Sequence, residues 1–175
     1  MAQQPIEFDS NSDGSVSAYP DRSQPVIKVR QLLFSEILTK VHKAKETKDK
    51  IKILKEEDCS ALRQICKWSF DPKIKSELPA GTPPYVENEA PEGTEHMLLR
   101  TEGDKLYNFI EGAQKHQSTV RETMFIRLLE GLHKDEAKLL CAVKDKKLHQ
   151  VYKGLTTPVV KKAFDWDENF RKKVV

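Results

Sequence analysis

The chain has 175 residues, 38% of them hydrophobic and 33% charged, with a net charge of +3 and a mean hydropathy of −0.63. That suits one domain with a modest core, a heavily charged surface and some chain left over. No membrane partner is expected: no run nears the roughly 18 apolar residues of a span, and Met1 to Ser23 lacks the basic start and apolar block of a secretory signal.

Residues 1–29 are polar, with prolines at 5, 20 and 25 and no usable period, and are expected to form an extended or disordered tail. Gln31 to Ala44 reads as an amphipathic helix, with Leu33, Ile37, Leu38, Val41 and Ala44 at three- and four-residue spacing. Thr47 is expected to cap a short second helix carrying Ile51 and Leu54. Asp58 is expected to open a third, with Leu62, Ile65 and Cys66 inward. Asp71-Pro72 ends it, because the residue before proline is pushed out of the helical region.

Residues 72–94 read as a Pro-rich acidic loop on an extended path. It either wraps a partner or is strapped across its own domain by Tyr85 and the prolines. Residues 95–111 allow two readings. His96 to Arg100 and Lys105 to Ile110, with Gly103 between, favour a small β-hairpin. Leu106, Phe109 and Ile110 would also suit a helix begun after Asp104. The hairpin is preferred.

Thr119 and Glu122 have the spacing of a capping box before Val120, Met124, Phe125, Leu128 and Leu132. Asp135 then opens a helix with Ala137, Leu140, Cys141 and Val143 inward. Leu148, Val151 and Tyr152 carry the pattern to Gly154. Thr157 is expected to cap the last helix, with Pro158 at its first position. The expected fold is mainly α: a compact multi-helix domain over 30–166, followed by a basic C-terminal tail over 167–175.

Catalytic and metal chemistry find no support. The five histidines are scattered, and there is no HExxH, paired CxxC, Walker loop or GxGxxG. His133-Lys-Asp-Glu136 has acid–base residue types, but acids at a helix start serve the helix dipole. Cys59, Cys66 and Cys141 are an odd set within helical patterns and read as thiols of a reducing compartment. No cofactor, metal or small-molecule substrate is expected.

Charge is unevenly spread. Ser76 to Glu95 holds five acids and no Lys or Arg, whereas Lys134 to Val175 holds eleven Lys/Arg against six Asp/Glu. The strongest binding candidate is the turn Lys153-Gly-Leu-Thr-Thr-Pro158. Free N–H groups at the next helix start, with the Thr156 and Thr157 hydroxyls, would form a phosphate pocket. Lys144, Lys146, Lys147, Lys153, Lys161 and Lys162 would surround it and grip a nucleic-acid backbone without reading bases. Ordinary helix punctuation and solvated helix faces would give the same pattern.

Two passages carry a resemblance. Ser35-Glu-Ile-Leu-Thr-Lys, continued from Lys50-Ile-Lys-Ile-Leu-Lys to Trp68-Ser-Phe-Asp-Pro72, is one. Phe125-Ile-Arg-Leu-Leu-Glu-Gly-Leu, with Glu136-Ala-Lys-Leu-Leu-Cys-Ala-Val-Lys and Lys153-Gly-Leu155, is the other. Together they resemble the helical N-terminal DNA-binding domain of T-even-type phage ATP-dependent DNA ligases. From Leu33 to Trp166 the chain also looks like a family of small proteins of T-even-like tailed phages, marine ones especially. The resemblance implies an all-helical scaffold for the duplex backbone. The Lys-x-Asp-Gly adenylation motif is missing, so ligase activity is not implied and no ligase contact residue is carried over. The leading expectation is a non-enzymatic phage accessory protein on duplex DNA, in the host cytoplasm during infection. The alternative is a virion structural protein (capsid, neck or tail-associated) that docks on other phage proteins through residues 1–29 and 72–94.

Overall fold

The computed structural model describes residues 30–91, 94, 96–112 and 115–174. The expected tail at 1–29 lies outside the described residues. Among those described, helices α1 (Phe34–Lys43), α2 (Thr47–Glu56), α3 (Ser60–Phe70), α4 (Leu99–Glu102), α5 (Ser118–Gly131), α6 (Lys134–Lys144), α7 (Leu148–Val151) and α8 (Thr157–Ala163) form a mainly α fold without a sheet.

Helix α1 forms where the apolar spacing predicts it. Phe34, Ile37, Leu38 and Val41 are all fully buried. The Glu36 carboxylate turns back to accept from the Leu33 N–H at 2.8 Å, and Lys40, His42 and Lys43 fill the last turn, where cations favour the dipole. Helices α3 and α6 pack against each other at the centre. Each fully buried leucine or isoleucine there, such as Leu62, Ile65 and Leu140, contributes about 1.5–3 kcal/mol relative to exposure. Around this pair, α5 packs on α6, and α1 packs on both α2 and α6.

Several helix starts differ from expectation by one or two residues: Glu46, not Thr47, is the N-cap of α2, Cys59, not Asp58, that of α3, and α6 begins at Lys134 on a His133 cap rather than at Asp135. Gln117, not Thr119, is the N-cap of α5; Ser118 Oγ donates to Glu122, so the reciprocal box does not form. Thr156, not Thr157, is the N-cap of α8.

The hairpin over 95–111 is not formed. Leu99–Glu102 is helical and runs into a 3-10 segment over Gly103–Phe109, with Leu99, Leu106 and Phe109 buried. Gly103 misled the reading. Its φ is −52, so it is no hairpin turn. A Cβ there would sit 2.3 Å from the Ala61 Cβ, so the missing side chain lets this segment press against α3. The end of the segment pairs elsewhere: Glu77 N–H donates to Phe109 O at 2.9 Å, and Glu111 N–H donates to Lys75 O at 2.8 Å.

The Pro-rich loop runs over its own domain. Pro79 O accepts from Lys144 Nζ at 2.7 Å, Gly81 N–H reaches Asp145 at 3.1 Å, and Val86 N–H reaches Glu130 at 3.2 Å. Glu87 pairs with Lys138 at 3.3 Å. The basic segment after residue 166 is likewise fastened down. Asp167 N–H donates to Arg171 O at 2.8 Å, Lys173 N–H to Asp165 O at 2.8 Å, and Phe170 is buried beside Trp166.

Two charged groups organise the interior. Glu136 is 2% exposed and accepts from the Phe34 N–H at 3.0 Å and the Leu99 N–H at 3.1 Å. One carboxylate thus satisfies the open starts of both α1 and α4. Arg121 is also buried. Its guanidinium donates to the carbonyls of Asn108 and His116, each at 3.2 Å, and pairs with Glu77.

Candidate nucleic-acid interface

The candidate residues divide into an inner and an outer set. Helix α6 ends in a left-handed residue, Lys146, at φ +56. Lys147 N–H closes on Ala142 O at 2.8 Å, and Lys146 N–H on Val143 O at 3.1 Å, which is the Schellman pattern without its usual glycine. That backbone turn throws the Lys146 ammonium toward the end of α3. It donates to Trp68 O at 3.1 Å and Asp71 O at 2.6 Å. Burial pulls its pKa below the ordinary lysine value, against the opposing pull of Asp71. Lys144 is 4% exposed and donates to Pro79 O and to Asp145 Oδ1, the latter at 2.5 Å. Both ammonium groups are used inside the fold, one as a helix cap and one as a loop latch. Neither faces a polyanion.

Lys161 is half-committed. It donates to Glu168 at 2.7 Å and lies 4.9 Å from the centre of the Phe170 ring. Lys161, Lys162 and Thr157 share one depression of about 430 Å³, but Asp165 and Glu168 line it as well. Lys147 lies in a different depression, beside Gln150 and Lys138. Lys147, Lys153, Thr156 and Lys162 are exposed, and none of the three lysines has a carboxylate partner among the described residues.

The expected N–H pocket is weaker than its sequence promised. Helix α8 has seven residues and Pro158 removes one donor from its first turn. So short a helix offers little dipole, and anion attraction here falls to the lysines. The glycine of the turn serves packing. A Cβ on Gly154 would lie 2.8 Å from Val41 O, so the bare backbone lets the α7–α8 turn rest on the end of α1. The same position is 3.2 Å from Lys50 Nζ, which brings a lysine of α2 against the turn. Lys50 was not among the predicted site residues. Its signal was the lysine density of α2, read only as part of a resemblance.

Reactive side chains are subdued. Burial pushes the Cys66 thiol up strongly and the Cys141 thiol up to about 11, which keeps both protonated and poorly nucleophilic at neutral pH. His133 is buried and caps α6, its Nδ1 accepting from the Asp135 N–H at 3.2 Å. Among the described residues no three His, Cys, Asp or Glu side chains are placed to hold a metal ion, and no helix is long and apolar enough to cross a membrane.

Among the described residues, fold and surface define a small mainly helical protein in which Lys50 of α2 meets the Lys153-Gly154 turn at the end of α1. The model of a family of unknown function, DUF6433, matches residues 37–150, and the chain belongs to that family. No curated protein and no solved structure matches it.

Proposed function

We propose that this chain is a non-enzymatic phage accessory protein that binds duplex DNA through the phosphate backbone. The observation that carries this reading is the outer lysine set. Lys147, Lys153 and Lys162 are exposed, lack carboxylate partners among the described residues, and flank a turn backed by Lys50. Lysines held this way are point charges suited to phosphates, and the exposed Thr156 hydroxyl adds a neutral donor. The sequence resemblance to a ligase DNA-binding domain supports the same reading.

Replacing Lys147, Lys153 and Lys162 together with glutamine is expected to weaken duplex binding equally across sequences. Each lost phosphate contact should flatten the log–log salt dependence by about 0.9. Unchanged binding by that variant would discard the assignment.

A second reading, a virion component, draws on Val86, which the loop leaves 75% exposed just before Glu87 and Glu89. Mass spectrometry of purified particles tests it: many copies per particle would make docking the primary role.

A further inference from the structure

We propose that the α1–α2 corner is a second lysine lobe of the duplex-binding face, continuous with the α7–α8 turn. This inference rests on the duplex-binding reading above. Between Lys40 and Lys55 the sequence places seven lysines against two acids, Glu46 and Asp49. Lys40, Lys43, Lys45 and Lys48 are exposed and, like Lys50, have no carboxylate partner among the described residues. Lys52 and Lys55 make only exposed pairs, with Glu56 at 3.8 Å and Asp165 at 3.6 Å.

Geometry joins the two lobes. Helix α2 packs on α8. Lys50 lies against Gly154, just before α8, and Lys55 meets Asp165, just after it, so the two helices run in the same direction. Their starting ends therefore lie together, which brings the Lys153-Gly154 turn against Lys50 of α2, while Lys162 continues along α8 to its last turn.

Helix electrostatics explains only part of this density. Lys40 and Lys43 sit in the last turn of α1, where a cation is favourable. Lys45 precedes α2, and Lys48 and Lys50 occupy its first turn, where the half-positive helix end repels them. A local rule broken without an internal partner marks a surface kept for something outside the fold. The partner chemistry follows from what the lobe lacks. Residues 40–56 contain no Phe, Tyr or Trp for stacking single-stranded bases, and His42 is the one ring in the stretch. None of the exposed large hydrophobic residues falls in this stretch, so no wedge is available for a lipid surface. Closely set lysines without either feature fit the phosphates of a duplex.

The test uses the full chain and a labelled duplex, with affinity measured by fluorescence anisotropy across a salt series. One variant carries Lys43→Gln, Lys45→Gln and Lys48→Gln; the other carries Lys147→Gln, Lys153→Gln and Lys162→Gln. The first is expected to lose about tenfold or more in affinity at moderate salt and to flatten the log–log slope by about 2–3. It should also melt close to the unmodified chain at low salt, because the two cations removed from the start of α2 offset the one removed from the last turn of α1. An unchanged slope in the first variant, with a flattened slope in the second, overturns this inference and leaves the duplex-binding function standing. Absence of duplex binding by the unmodified chain overturns both. Equal affinity for polyglutamate or phosphatidylglycerol vesicles overturns the choice of a duplex as partner, and a lower melting temperature overturns the claim that these lysines serve nothing inside the fold.

Discussion

The lysines at the end of α6 and those around α2 are the same residue type at similar density, yet the fold uses them in opposite ways. Lys144 and Lys146 point inward and end on carbonyls of distant segments. Lys45 and Lys48 point outward with no carboxylate partner among the described residues. The first pair closes helix ends and loops; the second leaves charge for an external partner. A lysine-rich stretch therefore has no single meaning, and its meaning is fixed by which open backbone groups lie within reach.

The largest effects should come from the inner charges. Glu136→Ala leaves two buried N–H groups without an acceptor and is expected to cost about 3–5 kcal/mol in urea unfolding. Hydrogen exchange should then speed up at the starts of α1 and α4. A cost below about 1 kcal/mol would mean that water replaces the carboxylate. Arg121→Ala should cost about 3 kcal/mol, since it strips Glu77 and two carbonyls of one shared partner. Next comes Lys146→Ala, expected to cost about 1–2 kcal/mol through the lost cap on α3, while leaving duplex affinity unchanged. Loss of affinity in that variant would erase the line between inner and outer lysines.

Alkaline titration sharpens the same contrast at the level of the core. Burial raises Cys141 from 9.0 to about 11 and Tyr152 from 10.0 to about 12. Both groups bind their proton more tightly when folded. Their contribution is fully present below about pH 9 and is lost as pH climbs through 11 and then 12. Stability should fall over that window, and Cys141→Ala should remove the earlier part of the slope. The smallest effect is expected at the surface: Lys48→Gln should raise stability by about 0.3 kcal/mol at low salt and by less at high salt.

Legibility followed the range of the interactions. Helices α1, α3 and α6 were readable because their buried residues repeat within the helix itself: Ile37, Leu38 and Val41, or Leu62, Ile65 and Cys66. The 3-10 segment was not, because Gly103 is required by Ala61 on another helix and nothing local reveals a close approach. Phe170 shows the same limit: a basic stretch with one aromatic read as a tail, but that aromatic docks on Trp166. In the candidate site, the exposed lysines Lys147, Lys153 and Lys162 could be named from sequence. The diversion of Lys144 and Lys146 could not, since the carbonyls that accept from them lie 65 to 78 positions away.

The Glu136 tie also sets an order of events. It links position 34 to position 136, a separation of 102 residues, and position 99 to 136, a separation of 37. During synthesis α1 leaves the ribosome before α6 and cannot complete its N-terminal bonding until α6 has followed. The start of α1 therefore waits for about a hundred further residues, so a helix made before α6 is secured only with it.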